Sequence, residues 1–168
     1  MTPTSGKLVI LAMIALALAA AAASFWYHRA TGARALEFWG PEAARHIARA
    51  PLIDVWEIGG QEGRPPHKTQ RVAVAGAAIV RQWDASHARG VGNIRRTLIE
   101  DASYDWTRRS HVGGRWRYHL RFSDEHGHAH VWLSDEGTAA PKPDGPVVQL
   151  TPEAFASLKG FFDDLSVN

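Results

Sequence analysis

The stretch Arg115–Ser134, RWRYHLRFSDEHGHAHVWLS, decides the fold. Trp116, Tyr118, Leu120 and Phe122 alternate with Arg115, Arg117, His119 and Arg121. A period of two gives a strand one apolar face and one polar face. After Ser123–Gly127 the alternation resumes: Ala129, Val131 and Leu133 face one way, and His128, His130, Trp132 and Ser134 the other. Matching the apolar faces fixes the register of a β-hairpin. Phe122 stands opposite Ala129 and Leu120 opposite Val131, so Arg121 faces His130 and His119 faces Trp132.

Outward from the hairpin, Val147–Leu150 reads as a short strand, and Thr151 caps a last helix with Pro152 at its first position. Phe155, Leu158, Phe162 and Leu165 line that helix's apolar face. Upstream, Val91, Ile94, Leu98 and Ile99 recur at helical spacing, and Leu52–Ile58 and Gln70–Ala75 read as strands. Gly40-Pro41-Glu42 starts a helix that Pro51 ends. Gly59–Lys68 and Ala139–Pro146, rich in Gly and Pro, are loops. Strands mixed with helices and joined by hairpins predict an α+β domain. The expectation is an antiparallel sheet of four or five strands with two or three helices on one face.

The N-terminus reads differently. From Leu8 to Trp26, Ser24 is the only polar side chain, and Phe25, Trp26 and Tyr27 form an aromatic cluster suited to a membrane–water interface. A cleaved signal peptide and an uncleaved signal anchor compete here, with Ala19–Ser24 supplying small residues for cleavage. The length of the run favours the anchor. The division is a tail at 1–7, a transmembrane signal anchor at 8–27 (Leu8–Tyr27), a membrane-proximal segment at 28–40 and a soluble α+β domain at 41–168. The expected location is a single-pass inner-membrane protein. Lys7 against Arg29 and Arg34 favours a cytoplasmic domain, whereas the export-like segment favours the outside, and the reading leans outside.

Composition excludes much. The chain has 168 residues, 45% of them apolar and 21% charged, which rules out a disordered chain. With no cysteine there are no disulfides, thiolate metal sites or thiol nucleophiles. A formal charge of +2 and the absence of any helix-turn-helix, zinc-finger or RNA-binding signature argue against nucleic acid. No G-x-S-x-G elbow, P-loop, H-E-x-x-H or Rossmann glycine pattern is present, so the balance falls against an enzyme. The pairs Asp84/His87 and Asp101/Tyr104 are compatible with acid–base chemistry, and equally with random spacing.

The stretch Leu98-Ile99-Glu100-Asp101-Ala102-Ser103-Tyr104, followed by the hairpin and the final helix, resembles small uncharacterised bacterial exported or membrane-anchored proteins. The resemblance covers about the C-terminal half and implies a fold and a location, with no activity. Its members often carry cysteines near the hairpin, so no thiol role carries over to this chain.

Three features bear on function. Charge segregates: residues 64–121 carry a net +8 and residues 122–168 a net −6. A basic sheet face suits an anionic surface or envelope protein, while mutual neutralisation within the fold is the blander account. His128 and His130 lie two apart on one strand face and can share Zn²⁺ or Cu²⁺, with His119, His126, Asp124 or Glu136 nearby. His-x-His is a weak pattern in a chain with nine histidines, and an incidental run is the plainer reading. Finally, seven tryptophans are many. Trp26 suits the interface and Trp56, Trp83, Trp106 and Trp116 a core, which leaves Trp39 and Trp132. The expected function is a membrane-anchored, non-enzymatic domain binding a partner at the bacterial cell envelope through Arg117, His119, Arg121, His130 and Trp132. The alternative is a metal-binding protein or metal-dependent enzyme built on His128 and His130.

Overall fold

The computed structural model describes residues 3–30, 32–59, 78–110 and 115–167, with residues 3–8, 25–30, 78, 109 and 110 described by backbone alone. Five α-helices and seven strands follow in the order α1 (Pro3–Ala30), α2 (Ala33–Trp39), α3 (Pro41–Arg49), β1 (Leu52–Gly59), β2 (Ala78–Asp84), α4 (Val91–Ile99), a 3-10 turn (Asp101–Ser103), β3 (Tyr104–Ser110), β4 (Trp116–Asp124), β5 (Gly127–Ser134), β6 (Thr138–Ala140), β7 (Val147–Leu150) and α5 (Pro152–Val167). The strands form one sheet in the order β2-β1-β4-β5-β6-β7-β3. Every pairing is antiparallel.

The α+β class stands, but among the described residues the sheet has seven strands rather than four or five, and four helices, α2 to α5, pack on its face rather than two or three. β3 (YDWTRRS) carries little apolar alternation and β6 (TAA) is three residues long, so neither announces itself. The strand expected at Gln70–Ala75 and the Gly59–Lys68 loop lie, beyond Gly59, outside the described residues, and β2 falls at Ala78–Asp84.

The expected transmembrane helix is corrected. The segment is helical, but among the described residues no helix is long and apolar enough to cross a membrane. The described side chains of α1 run from Val9 to Ser24, all exposed.

The hairpin register is the one the alternation predicts: Phe122 pairs with Ala129, Arg121 with His130, Leu120 with Val131 and His119 with Trp132. Asp124 closes the turn by accepting from the backbone N–H groups of His126 (2.8 Å) and Gly127 (3.0 Å). Ile53 and Val55 of β1 continue the inward row against Phe122 and Leu120. Onto this face pack Ala35 and Trp39 of α2, Ile47 of α3, Ile94 and Leu98 of α4, and Leu158, Phe161 and Phe162 of α5. Arg95 donates to the carbonyls of Ile47 (2.7 Å) and Ala50 (2.5 Å), satisfying acceptors that the end of α3 leaves open.

One irregularity redirects a side chain. Trp116 pairs with Ser134 and Tyr118 with Leu133, so Arg117 is the extra residue of a β-bulge. Tyr118 keeps its inward aim and stacks on Phe162, with ring centroids 3.9 Å apart. Trp116 turns to the opposite sheet face, beside Trp132. Strict alternation had placed Trp116 in the helix-covered core and Arg117 opposite, and the bulge exchanges them.

Candidate partner-binding face

The sheet face away from the helices carries cross-strand neighbours from β1, β4 and β5. Trp56 pairs with His119, and His119 with Trp132. Their rings stack in that order, 4.9 Å and 4.2 Å between centroids, and the interplanar angles are 19° and 18°. An imidazole is thus held between two indoles. All three side chains are buried, as are Ile58, Ala140 and Val147 beyond them.

His119 and His130 meet across β4 and β5, with Nε2 of His119 2.9 Å from Nδ1 of His130. Among the described residues, His119 Nδ1 is buried and finds no hydrogen-bond partner. Burial, then His130, then Arg121 drive the His119 pKa down to about 3. His130 is lowered by burial first, then by His128 and Arg121. Both rings are therefore neutral at pH 7. An N–H buried without an acceptor is costlier than an unshared lone pair. The favoured tautomer therefore has His119 Nε2–H donating to His130 Nδ1, which leaves His130 with its own proton on Nε2.

Arg121 lies at the margin of the stack. Its guanidinium sits 5.3 Å from the Trp56 ring and donates to Asp54 Oδ2 from Nε (3.1 Å) and Nη2 (2.7 Å). Its side chain is 44% exposed, so it remains open to a further partner. His128 is exposed and its ring meets His130 edge to face at 4.8 Å.

Of the residues expected to form a partner face, the structure brings Arg121, His119, His130 and Trp132 together. Arg117 is elsewhere: on the helix side, its Nη2 lies 2.5 Å from Glu57 Oε1, with Arg81 3.8 Å from the same carboxylate. There it lines a cleft of about 290 Å³ beneath α5, with Tyr118, Leu133, Phe155 and Phe162 as apolar walls. His119 and Trp132 are too buried to touch a partner, so they form a rigid base while Arg121, His128 and His130 supply accessible groups. Trp56, read from sequence as core, is part of this base. The signal for it is the β1 alternation that sets Trp56 in line with Asp54.

The other candidates resolve into structural roles. Trp39 is buried and donates to the Leu98 carbonyl (2.8 Å) and the Tyr104 hydroxyl (3.1 Å). Trp26 lies outside the described side chains. Asp101 accepts from the backbone N–H groups of Ala35 (2.7 Å) and Arg34 (3.2 Å), capping α2 from a distance in sequence. Tyr104 donates to the Leu98 carbonyl at 2.6 Å, and its hydroxyl is pushed far up by burial. Asp84 is held below the usual carboxylate range by its hydrogen bonds from Ser86. Sequence reasoning missed a further dyad: His46 Nδ1 lies 3.1 Å from Asp124 Oδ2. His46 is 5% exposed and its Nε2 is packed against Gly127, so the dyad ties α3 to the hairpin turn. Among the described residues, no group of three or more His, Asp or Glu side chains is arranged to hold a metal ion. His130 has already committed Nδ1 to His119, so Nε2 is its remaining ligand atom beside His128.

Compared with known proteins, the chain matches no family model, no curated protein and no solved structure.

Proposed function

We propose that the chain is a non-enzymatic binding domain held at a lipid bilayer of the cell envelope by α1, with a partner face on β1, β4 and β5. One observation carries this reading. The described side chains of α1 are all exposed, with Leu11, Met13, Ile14, Leu16 and Leu18 each more than half so. Leaving these side chains in water forgoes roughly 25 cal/mol for each Å² of apolar surface, a cost that insertion into lipid removes. A contiguous apolar surface of this kind marks an interaction site. Among the described residues, the hydrophobic core is built from the sheet and α2 to α5.

The partner face supports a binding role. Its rings are fixed by stacking and by the His119–His130 hydrogen bond, while Arg121, His128 and His130 are accessible around them. A rigid base with a few exposed polar groups lowers the entropy lost on binding.

The test is flotation of the full chain with phospholipid vesicles. Wild type is expected to rise with the vesicles. Leu11→Glu/Ile14→Glu places two carboxylates in the apolar run and is expected to stay in the aqueous fraction. Equal flotation of both overturns lipid attachment through α1.

A further inference from the structure

We infer that Arg121, His128 and His130 form a binding site for a phosphate-type oxyanion on the β1–β4–β5 face. This inference rests on the reading of that face as the partner face, and is independent of lipid attachment by α1. Arg121 stands opposite His130 in the hairpin, and His128 meets His130 edge to face. Three groups able to donate hydrogen bonds thus share one face of two adjacent strands, with the Arg121 guanidinium turned toward Asp54 and Trp56 of β1. His119 fixes one of them: by donating to His130 Nδ1 it leaves Nε2–H as the remaining donor of that ring. Guanidinium and imidazole N–H groups recognise phosphate oxygens by charge-assisted hydrogen bonds.

Asp54 is the opposing charge. It takes Nε and Nη2 of Arg121 at a single oxygen, Oδ2. The pair is exposed enough that its net strength is small, so an oxyanion competes with it. Asp54 therefore tunes the site downward, and its removal has a signature that a purely structural Arg121–Asp54 bridge lacks.

Phosphate can come free in solution or on a lipid headgroup. The experiment uses the full chain in nanodiscs of phosphatidylcholine and follows the imidazole Cε1–H resonances of His128 and His130 by NMR at neutral pH. In one arm inorganic phosphate is titrated, with chloride at matched ionic strength as control. In the other, phosphatidic acid replaces part of the lipid. Saturable shifts with free phosphate support the site with a soluble ligand. Shifts with phosphatidic acid alone support it with a lipid headgroup. Arg121→Gln is expected to weaken either response by about fivefold or more, and Asp54→Asn to strengthen it by about threefold. Absence of a saturable response in both arms, or a response that Arg121→Gln leaves unchanged, overturns the inference. Backbone amide spectra of the two variants establish that they fold.

Discussion

His119 Nε2 lies 2.9 Å from His130 Nδ1, and the His119 ring is pressed between Trp56 and Trp132. A buried polar ring with one hydrogen bond and one orphaned nitrogen is costly to charge. This makes the partner face a source of acid sensitivity.

The sign follows from linkage. In the unfolded chain His119 takes a proton below about pH 6.5, whereas in the fold it resists down to about 3. Its contribution to stability is whole above about pH 6.5 and is lost as pH falls from there toward 3. The loss approaches about 1.4 kcal/mol for each pH unit in that window. His119→Phe keeps a stacking ring and removes the titration. Urea unfolding at several pH values should show a flatter acid limb for the variant. An unchanged slope would place the acid sensitivity elsewhere.

Two arginines on the same strand should behave differently. Arg117 neutralises Glu57, whose side chain is 12% exposed. Arg121 pairs with Asp54, which is 23% exposed. Arg117→Met leaves a buried carboxylate beside only the more distant Arg81 and is expected to cost about 1–3 kcal/mol. Arg121→Met is expected to cost less than about 1 kcal/mol. Chemical denaturation of both variants reads the difference. Equal costs would contradict the bulge-directed placement of Arg117.

Gly137 has φ +81°, and a Cβ there would lie 3.1 Å from Phe155 Cγ and 3.2 Å from Gln149 Nε2. The turn also positions the Gly137 carbonyl to accept from Leu150 N–H at 2.8 Å. Gly137→Ala is expected to lower stability by about 1–3 kcal/mol through left-handed backbone strain and the close contact. Thermal unfolding checks it. A neutral result would show that Phe155 and the turn relax freely.

Tyr104 joins the start of β3 to α2 and α4 by donating to the Leu98 carbonyl and accepting from Trp39 Nε1–H. Tyr104→Phe removes both and should cost about 1–3 kcal/mol. The Trp39 donor keeps its bond to the Leu98 carbonyl, so the lower half of that range is expected. Denaturation midpoints of the variant measure the cost.

The hairpin was legible because both of its strands alternate cleanly and only one register buries both apolar sets. The helix ends were legible where Pro41 and Pro152 open helices. The bulge at Arg117 was not, since two-residue periodicity carries no mark of an inserted residue, and Arg117 and Trp116 exchanged faces as a result. The His46–Asp124 and Glu57–Arg117 pairs were invisible for another reason. Their members are far apart in sequence and come together only through packing of α3 on the hairpin and of β1 beside β4. The transmembrane reading rested on the apolar run at Leu8–Trp26 alone, and among the described residues no helix is long and apolar enough to cross a membrane.

The central claim, that α1 seats the chain in lipid, has a direct test because the chain has no cysteine. Leu16, 73% exposed in the structure, is replaced by Cys and carries a nitroxide in the full chain reconstituted in phospholipid vesicles. Electron paramagnetic resonance then compares collisions with oxygen, which concentrates in lipid, and with a water-soluble nickel chelate. The account predicts high accessibility to oxygen and protection from the chelate. Free collision with the chelate in the presence of vesicles would contradict it.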